Sequence, residues 1–149
     1  MIKTLLKEVK EYKKDTLLSP VYVSIEAILE VLIPFLMAIL VDNGIEKGNM
    51  GSIWFYGTLM LVAAFVSLWA GAKSGKHAAI ASSGFAKNLR KAEYRKIQEF
   101  SFSNVDAYST SGLITRMMTD VTNIQNAYQM IIRVCVRAPL MLIASLIMA

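Results

Sequence analysis

Cysteine and histidine are almost absent from this sequence: Cys135 and His77 are each the only residue of their type in 149. One thiol gives no intrachain disulfide framework and no cysteine-pair metal site. One imidazole gives no His-pair metal site and no histidine triad with a recognisable partner. Cys135 is expected as a small apolar core residue, and His77 as a solvated or interfacial side chain. Phosphate-binding chemistry is scarce too. The nearest approach to a phosphate loop, Gly71-Ala72-Lys73-Ser74-Gly75-Lys76-His77, is one residue short between its glycines and carries His77 where Ser or Thr would bind magnesium. It also follows an apolar helix where a strand is required. No catalytic, cofactor-binding or metal-binding residue is therefore expected in this chain.

What the chain has is apolar sequence in long runs. Its hydrophobic share of 55% and mean hydropathy of +0.46 exceed the roughly 45–50% apolar share of ordinary globular domains. Val21 to Val41 and Ile53 to Ala72 are each long enough to cross about 30 Å of hydrocarbon as a helix. The first run is too long for the apolar core of a signal peptide and lacks a small-residue cleavage pattern. A third run starts near Met130 and is still apolar at Ala149, where a natural end would strand carbonyls in hydrocarbon; the expectation is a chain truncated within its third span.

The net charge of +5 is unevenly distributed. Lys3, Lys7, Lys10, Lys13 and Lys14 precede the first span, and Lys73, Lys76, Lys87, Arg90, Lys91, Arg95 and Lys96 follow the second. The segment between has Lys47 against Asp42 and Glu46. The positive-inside rule then places the N-terminus and residues 73–129 in the cytoplasm and the loop 42–52 outside. Anionic lipid headgroups account for this charge, and nucleic acid is not expected as a partner.

In chain order, residues 1–16 place Ile2, Leu5, Leu6, Val9 and Tyr12 on one helical face with lysines opposite, the pattern of a helix lying in the inner interface. Ser19-Pro20 marks the entry to span 1 (21–41), since proline is accepted in a first helical turn. Glu26 and Glu30 share a face of that span, and Pro34 is expected to kink it. Carboxylates at membrane depth are costly. Two readings stay open: they line a substrate pathway that favours cationic cargo, or they satisfy polar groups on neighbouring helices. Residues 42–52 are dense in turn formers and only reverse the chain. Trp54 and Tyr56 open span 2 (53–72) as an outer aromatic belt, and Gly71 with Gly75 forms one small-xxx-small pair.

Past Lys73 the sequence turns polar without breaking, and helix formers without proline continue to Phe100. Ser101, Ser103 and Asn104 offer stopping and capping side chains, and Val105 to Tyr108 suits about one helical turn. After Ser109-Thr110-Ser111-Gly112, the residues Leu113, Ile114, Met117, Val121 and Ile124 fall on one face and lead back toward span 3 (130–149). The pattern is a long helical hairpin in an all-α membrane protein. Arg116 and Asp120 stand one turn apart, either as a weak surface ion pair or as a pair that fixes this helix at the tip.

The run Gly112-Leu113-Ile114-Thr115-Arg116-Met117-Met118-Thr119-Asp120-Val121, with Ile124-Gln125, resembles the Gly-x-Leu-x-(Ser/Thr)-Arg-x-x-x-Asp-Val pattern of ABC exporter membrane domains. Pro34 through Ile45 and Arg133 to Pro139 are similar to that family's first outer loop and third span in bacterial multidrug-type members. The resemblance implies the first half of a six-helix exporter domain that works as a homodimer or heterodimer of half-transporters. It implies a bacterial plasma-membrane location, and ATP and magnesium bound by nucleotide-binding domains beyond this chain. A coupling helix at Phe102, Ser103, Asn104, Val105, Asp106, Ala107, Tyr108 and Ser109 would dock into those domains, with export of a multidrug, lipid or peptide substrate by alternating access. The competing class is a two-span receptor or scaffold with a cytoplasmic relay hairpin; its missing outer sensor and the third apolar run weigh against it.

Overall fold

The computed structural model describes residues 8–99 and 110–148. A 3-10 turn at Lys10–Tyr12 leads into α1 (Lys13–Leu40), which ends in a π-helical turn at Val41–Ile45. Next come α2 (Met50–Gln98), the short α3 (Thr110–Thr115), a π-helical segment at Arg116–Asp120, and α4 (Val121–Met148). Helices α1, α2 and α4 all pack on one another, with α2 antiparallel to its two neighbours. Three helical stretches, Lys10–Ile45, Met50–Gln98 and Met117–Ile147, are long and apolar enough to cross a membrane.

The reversal between α1 and α2 is tight because its residues suit it. Gly48 takes a left-handed φ of 63°, which costs glycine nothing. The Asn49 side chain caps α2 by accepting from the Gly51 and Ser52 amides at 3.1 and 3.4 Å, satisfying donors that a helix start leaves free. Gly44 is buried against Ile53, where a Cβ would come within 2.7 Å of the Ile53 side chain.

Helix α1 departs from the expected entry point. It begins at Lys13 and carries both Pro20 and Pro34 in its interior. Proline removes one helical hydrogen bond, a loss that neighbouring helices compensate in membrane proteins. Val9 and Tyr12, expected on a membrane-facing surface, turn instead toward α2: Val9 packs beside Phe85, and the Tyr12 ring lies where a Cβ on Gly84 would be. Residues 1–7 lie outside the described residues.

The core is made of small residues and a few large ones. Val9, Phe85, Ala86, Leu89 and Val121 form one buried cluster, with Ile124 and Tyr128 against it; Ala78, Ala81 and Ile132 form another, also touching Tyr128. Tyr128 therefore joins the two. Its ring stacks on Phe85 at 4.7 Å, and its hydroxyl lies 2.9 Å from Thr16 Oγ1. Fully buried Ser19 and Ser74 hydrogen-bond across α1 and α2, so the close approach of small residues leaves no hydroxyl stranded.

Candidate functional site

Four charged side chains gather between α1, α2 and α4. Glu26 and Glu30 sit one turn apart on α1, and Arg133 and Arg137 repeat that spacing on α4. Arg137 Nη2 donates to both oxygens of Glu30 at 2.7 Å, while its Nη1 reaches Glu26 Oε1 only at 3.5 Å. The Glu26 carboxyl is the most enclosed, its side chain 15% exposed against 32% for Glu30 and 40% for Arg137. Its Oε2 is buried without a hydrogen-bond partner. Gly71 makes room for it: a Cβ there would lie 2.9 Å from Glu26 Oε1. The geometry gives both glutamates the same helix-to-helix partner, Arg137, at 2.7 Å for Glu30 and 3.5 Å for Glu26, and encloses the second Glu26 oxygen without one.

That cavity, about 500 Å³, is lined by both glutamates, Arg133, Ser67, Gly71 and apolar side chains of α1 and α2. Arg133 also borders a second hollow of about 360 Å³ toward Gln129 and Asn126. Among the described residues no carboxylate pairs with Arg133.

One turn nearer the N-terminus of α1, an aromatic and basic group surrounds the helices. Tyr22 meets Trp69 edge-on at 5.8 Å and stacks on His77 at 5.6 Å, and Lys73 Nζ lies 5.7 Å from the Trp69 ring centre. His77 Nδ1 is 2.7 Å from Asp15 Oδ1. His77 thus bridges α1 and α2, a pairing that the expectation of a solvated or interfacial side chain did not include. Long-range pairing, invisible to a local reading of one histidine, makes the difference. Cys135 departs from the expectation of a core residue: it is exposed.

The exporter-like pattern is divided by the structure. Gly112 and Thr115 lie on α3, and the π-helical turn at Arg116–Asp120 carries the chain into α4. Val121 is fully buried in the first core cluster, and Asp120 is exposed. The side chains of Leu113 and Arg116 are outside the described residues, as is the whole of 102–109 proposed for coupling. Asp120 has an electrostatic reach: burial first, and then its charge, push the Glu93 carboxyl above the usual range, with Arg90 opposing. Glu93 Oε2 is buried without a hydrogen-bond partner.

Arg137 is the residue sequence reasoning missed as a site. The available signal was two arginines a turn apart in an apolar run, matching in spacing and opposite in sign the two glutamates of span 1. The Gly71–His77 stretch, by contrast, lies inside uninterrupted α2, where backbone amides are committed to the helix and cannot cradle phosphate. Among the described residues no three His, Cys, Asp or Glu side chains converge as a metal site.

Comparison with known proteins agrees with an all-helical membrane domain. Residues 17–149 match the ABC transporter transmembrane region. An uncharacterized ABC transporter ATP-binding protein of Bacillus subtilis, YfiB, is 36% identical over 124 residues, covering 83% of this chain and 22% of that protein. Two uncharacterized ABC transporter ATP-binding proteins, Mb1304c of Mycobacterium bovis and Rv1273c of Mycobacterium tuberculosis, are each 27% identical over the whole chain and 26% of their own length. The chain thus spans about a quarter of the length of these relatives. With three apolar membrane-length helices and a family match across nearly all of its length, this integral membrane chain belongs to the ABC transporter transmembrane region family.

Proposed function

We propose that the chain is the first part of the membrane subunit of an ATP-driven exporter, in which α2 and α4 form a lever between the bilayer and a nucleotide-binding domain. The observation that carries this reading is the continuity of α2, a 49-residue helix about 73 Å long. Trp54 and Phe55 stand exposed near its start. Trp69 and Lys73 stand at the second aromatic group, so Trp54 to Lys73 spans about 28 Å, close to the hydrocarbon thickness. Lys73 to Gln98 then projects about 37 Å beyond the bilayer. In proteins most of a helix's stability comes from packing and not from propensity. Here α2 is braced by residues 8–19 and by α4 through a buried core, so motion at its far end is carried to the spans.

In this reading residues 102–109 dock into a nucleotide-binding domain, which holds ATP and magnesium and contributes the hydrolytic chemistry. Closure of two such domains shifts a two-state packing of the spans between inward- and outward-facing forms. Residues 8–19 and 73–129 lie in the cytoplasm of a bacterium, and the subunit works as a homodimer or heterodimer.

The test is cysteine accessibility in membranes, with single cysteines at Asn49 and Tyr108 of the full-length protein and Cys135 replaced. Asn49 is expected to label from outside, and Tyr108 only from the cytoplasm, with labelling lost when ATP-bound domains dock. Labelling at Tyr108 that ignores nucleotide removes the coupling role.

A further inference from the structure

Arg137 holds two carboxylates unequally. Its Nη2 meets Glu30 at 2.7 Å, while its Nη1 meets Glu26 only at 3.5 Å, well beyond the roughly 2.7–2.9 Å of a strong charged hydrogen bond. The other oxygen of Glu26 is enclosed without a partner. The side chain of Arg133, one turn before Arg137, has no ion pair or hydrogen bond among the described residues. Glu26, Glu30 and Arg133 all line one hollow of about 500 Å³.

Helix register supplies a second partner for Glu26. Helices α1 and α4 run parallel, and the 2.7 Å pair joins residues 107 apart in sequence, Glu30 and Arg137. Glu26 and Arg133 each lie four residues earlier on their own helix, so they repeat that separation. A step of four residues along both helices carries a pair about 6 Å and returns it nearly to the same faces. Glu26 and Arg133 therefore stand in the relation that gives Glu30 and Arg137 their close contact. The existing Glu26 contact spans 111 residues and reaches one turn further along α4. Opposing effects balance the two choices. Gly71 leaves room for Glu26 where it is, since a Cβ there would lie 2.9 Å from Oε1 and 3.0 Å from the carboxyl carbon. A polar hollow of this size admits water, and a hydrated guanidinium gains little from pairing. As the hollow dries, the local dielectric falls, the attraction strengthens and an unpaired guanidinium becomes costly.

We propose that Glu26 is an exchangeable carboxylate, which trades its long contact with Arg137 for a pair with Arg133, and that the trade closes the hollow between α1, α2 and α4. In the open form, the one described above, Arg137 is shared by both glutamates and Arg133 borders the hollow. In the closed form two pairs in equal register, Glu26 with Arg133 and Glu30 with Arg137, tie α1 to α4, and the Arg133 guanidinium takes up space in the hollow. Side-chain torsions change and no proton moves. The four charges sum to zero in both forms, so the exchange leaves no charge unbalanced. The device rests on the register and the hollow, and not on coupling to ATP.

The test places a single cysteine at Ser67, which lines the hollow, in the full-length protein in detergent with its other cysteines replaced. Labelling by a small water-soluble thiol reagent is followed without nucleotide. Glu26→Gln and Arg133→Gln each remove the closed form and should raise the labelling rate about threefold, the change expected when that form holds about two-thirds of the molecules. The double variant should rise no further, because either change alone already abolishes the same pair. Gly71→Ala crowds Glu26 out of its present place and should slow labelling, and Arg133→Gln should cancel that slowing. Glu26→Asp and Arg133→Lys, which keep the charges, should stay closer to the unaltered rate and guard against misfolding. Rates that the neutral variants leave unchanged, effects that multiply in the double variant, or slowing by Gly71→Ala that survives Arg133→Gln each overturn the proposal. So do charge-keeping variants that label as fast as the neutral ones. Repeating the series with ATP and magnesium separates this device from the exporter reading: non-additivity that persists while nucleotide leaves the rate unchanged keeps the exchange and counts against coupling to ATP.

Discussion

Phe65 and Phe85 stand on the same helix, about 30 Å apart, in opposite surroundings. Phe85 is 3% exposed and Phe65 is 70% exposed. The contrast holds for their neighbourhoods. Between Ser74 and Leu89 the sequence is the more polar, yet it contributes most of the buried residues of α2. Between Trp54 and Trp69 it is almost wholly apolar, yet Trp54, Phe55, Leu61, Phe65, Leu68 and Trp69 are mostly exposed. On the proposed membrane placement, hydrophobicity and burial run against each other because the solvents differ. In water an apolar side chain gains by leaving solvent, so the projecting part must build its own core. In hydrocarbon there is no such drive, and close approach of small residues such as Ala63 and Ala70 holds the helices together.

The largest test of that difference is a pair of truncations in the full-length protein in detergent, read by thermal unfolding. Phe85→Ala removes a ring stacked on Tyr128 and should cost about 3–5 kcal/mol. Phe65→Ala should shift stability by about 0.5 kcal/mol or less. Equal losses would mean that the spans carry a core of their own at Phe65, and the contrast would fail.

A second test asks whether charge takes the place of apolar packing within the spans. Glu30→Gln leaves Arg137 without its partner at 2.7 Å and should cost about 1.5–3 kcal/mol, the range for hydrogen bonds to charged groups. Adding Arg137→Met should recover only part of the loss, because replacing both partners of an enclosed pair is often near neutral but Glu26 then loses its own contact with Arg137 at 3.5 Å. A double variant no better than the single one would show that the pair does not act as a unit.

Much of this division was legible in the chain. Three long apolar helices follow from length and hydropathy, and the continuation of α2 past Lys73 follows from uninterrupted helix formers, because both are local properties. The reversal before Asn49 was likewise visible in its turn residues. Partner choice was not. Nothing near Glu30 in sequence points to Arg137, and nothing near His77 points to Asp15, because helix register against a distant neighbour decides these pairs. Pro20 misled for a related reason: local propensity places it at a helix start, and packing against α2 from Val9 onward extends the helix past it. The coupling segment 102–109 was proposed from capping residues and resemblance, and it lies outside the described residues.

Glycines sharpen the comparison at smaller cost. A Cβ on Gly84 would meet the Tyr12 ring, whereas one on Gly57 meets nothing within 4 Å. Gly84→Ala should destabilise by about 1–3 kcal/mol through overpacking, partly relieved if the ring rotates. Gly57→Ala should stabilise by about 0.5–1 kcal/mol, because it removes backbone freedom at an open helical site. Thermal unfolding of the two variants side by side reads the sign directly, and a loss at Gly57 would reveal a neighbour pressed against the outer part of α2.

The smallest expected effect lies at Glu93, in the C-terminal half of α2. Burial and the nearby Asp120 raise its pKa above the ordinary 4.5, against the opposing charge of Arg90. For an acid whose folded pKa is raised, the folded state holds the proton more tightly than the unfolded state. Stability from this group therefore falls as pH rises from about 4.5 through the raised value, and the penalty persists at neutral pH. Glu93→Gln should remove that slope and leave the protein slightly more stable at neutral pH, while Asp120→Asn should reduce the slope without abolishing it, because burial is the larger cause. Unfolding followed across that pH window, wild type against both variants, decides the matter. If Glu93→Gln lowers stability at neutral pH, the carboxylate has a partner in the full-length protein, and this end of α2 is a docked surface and not a solvated one.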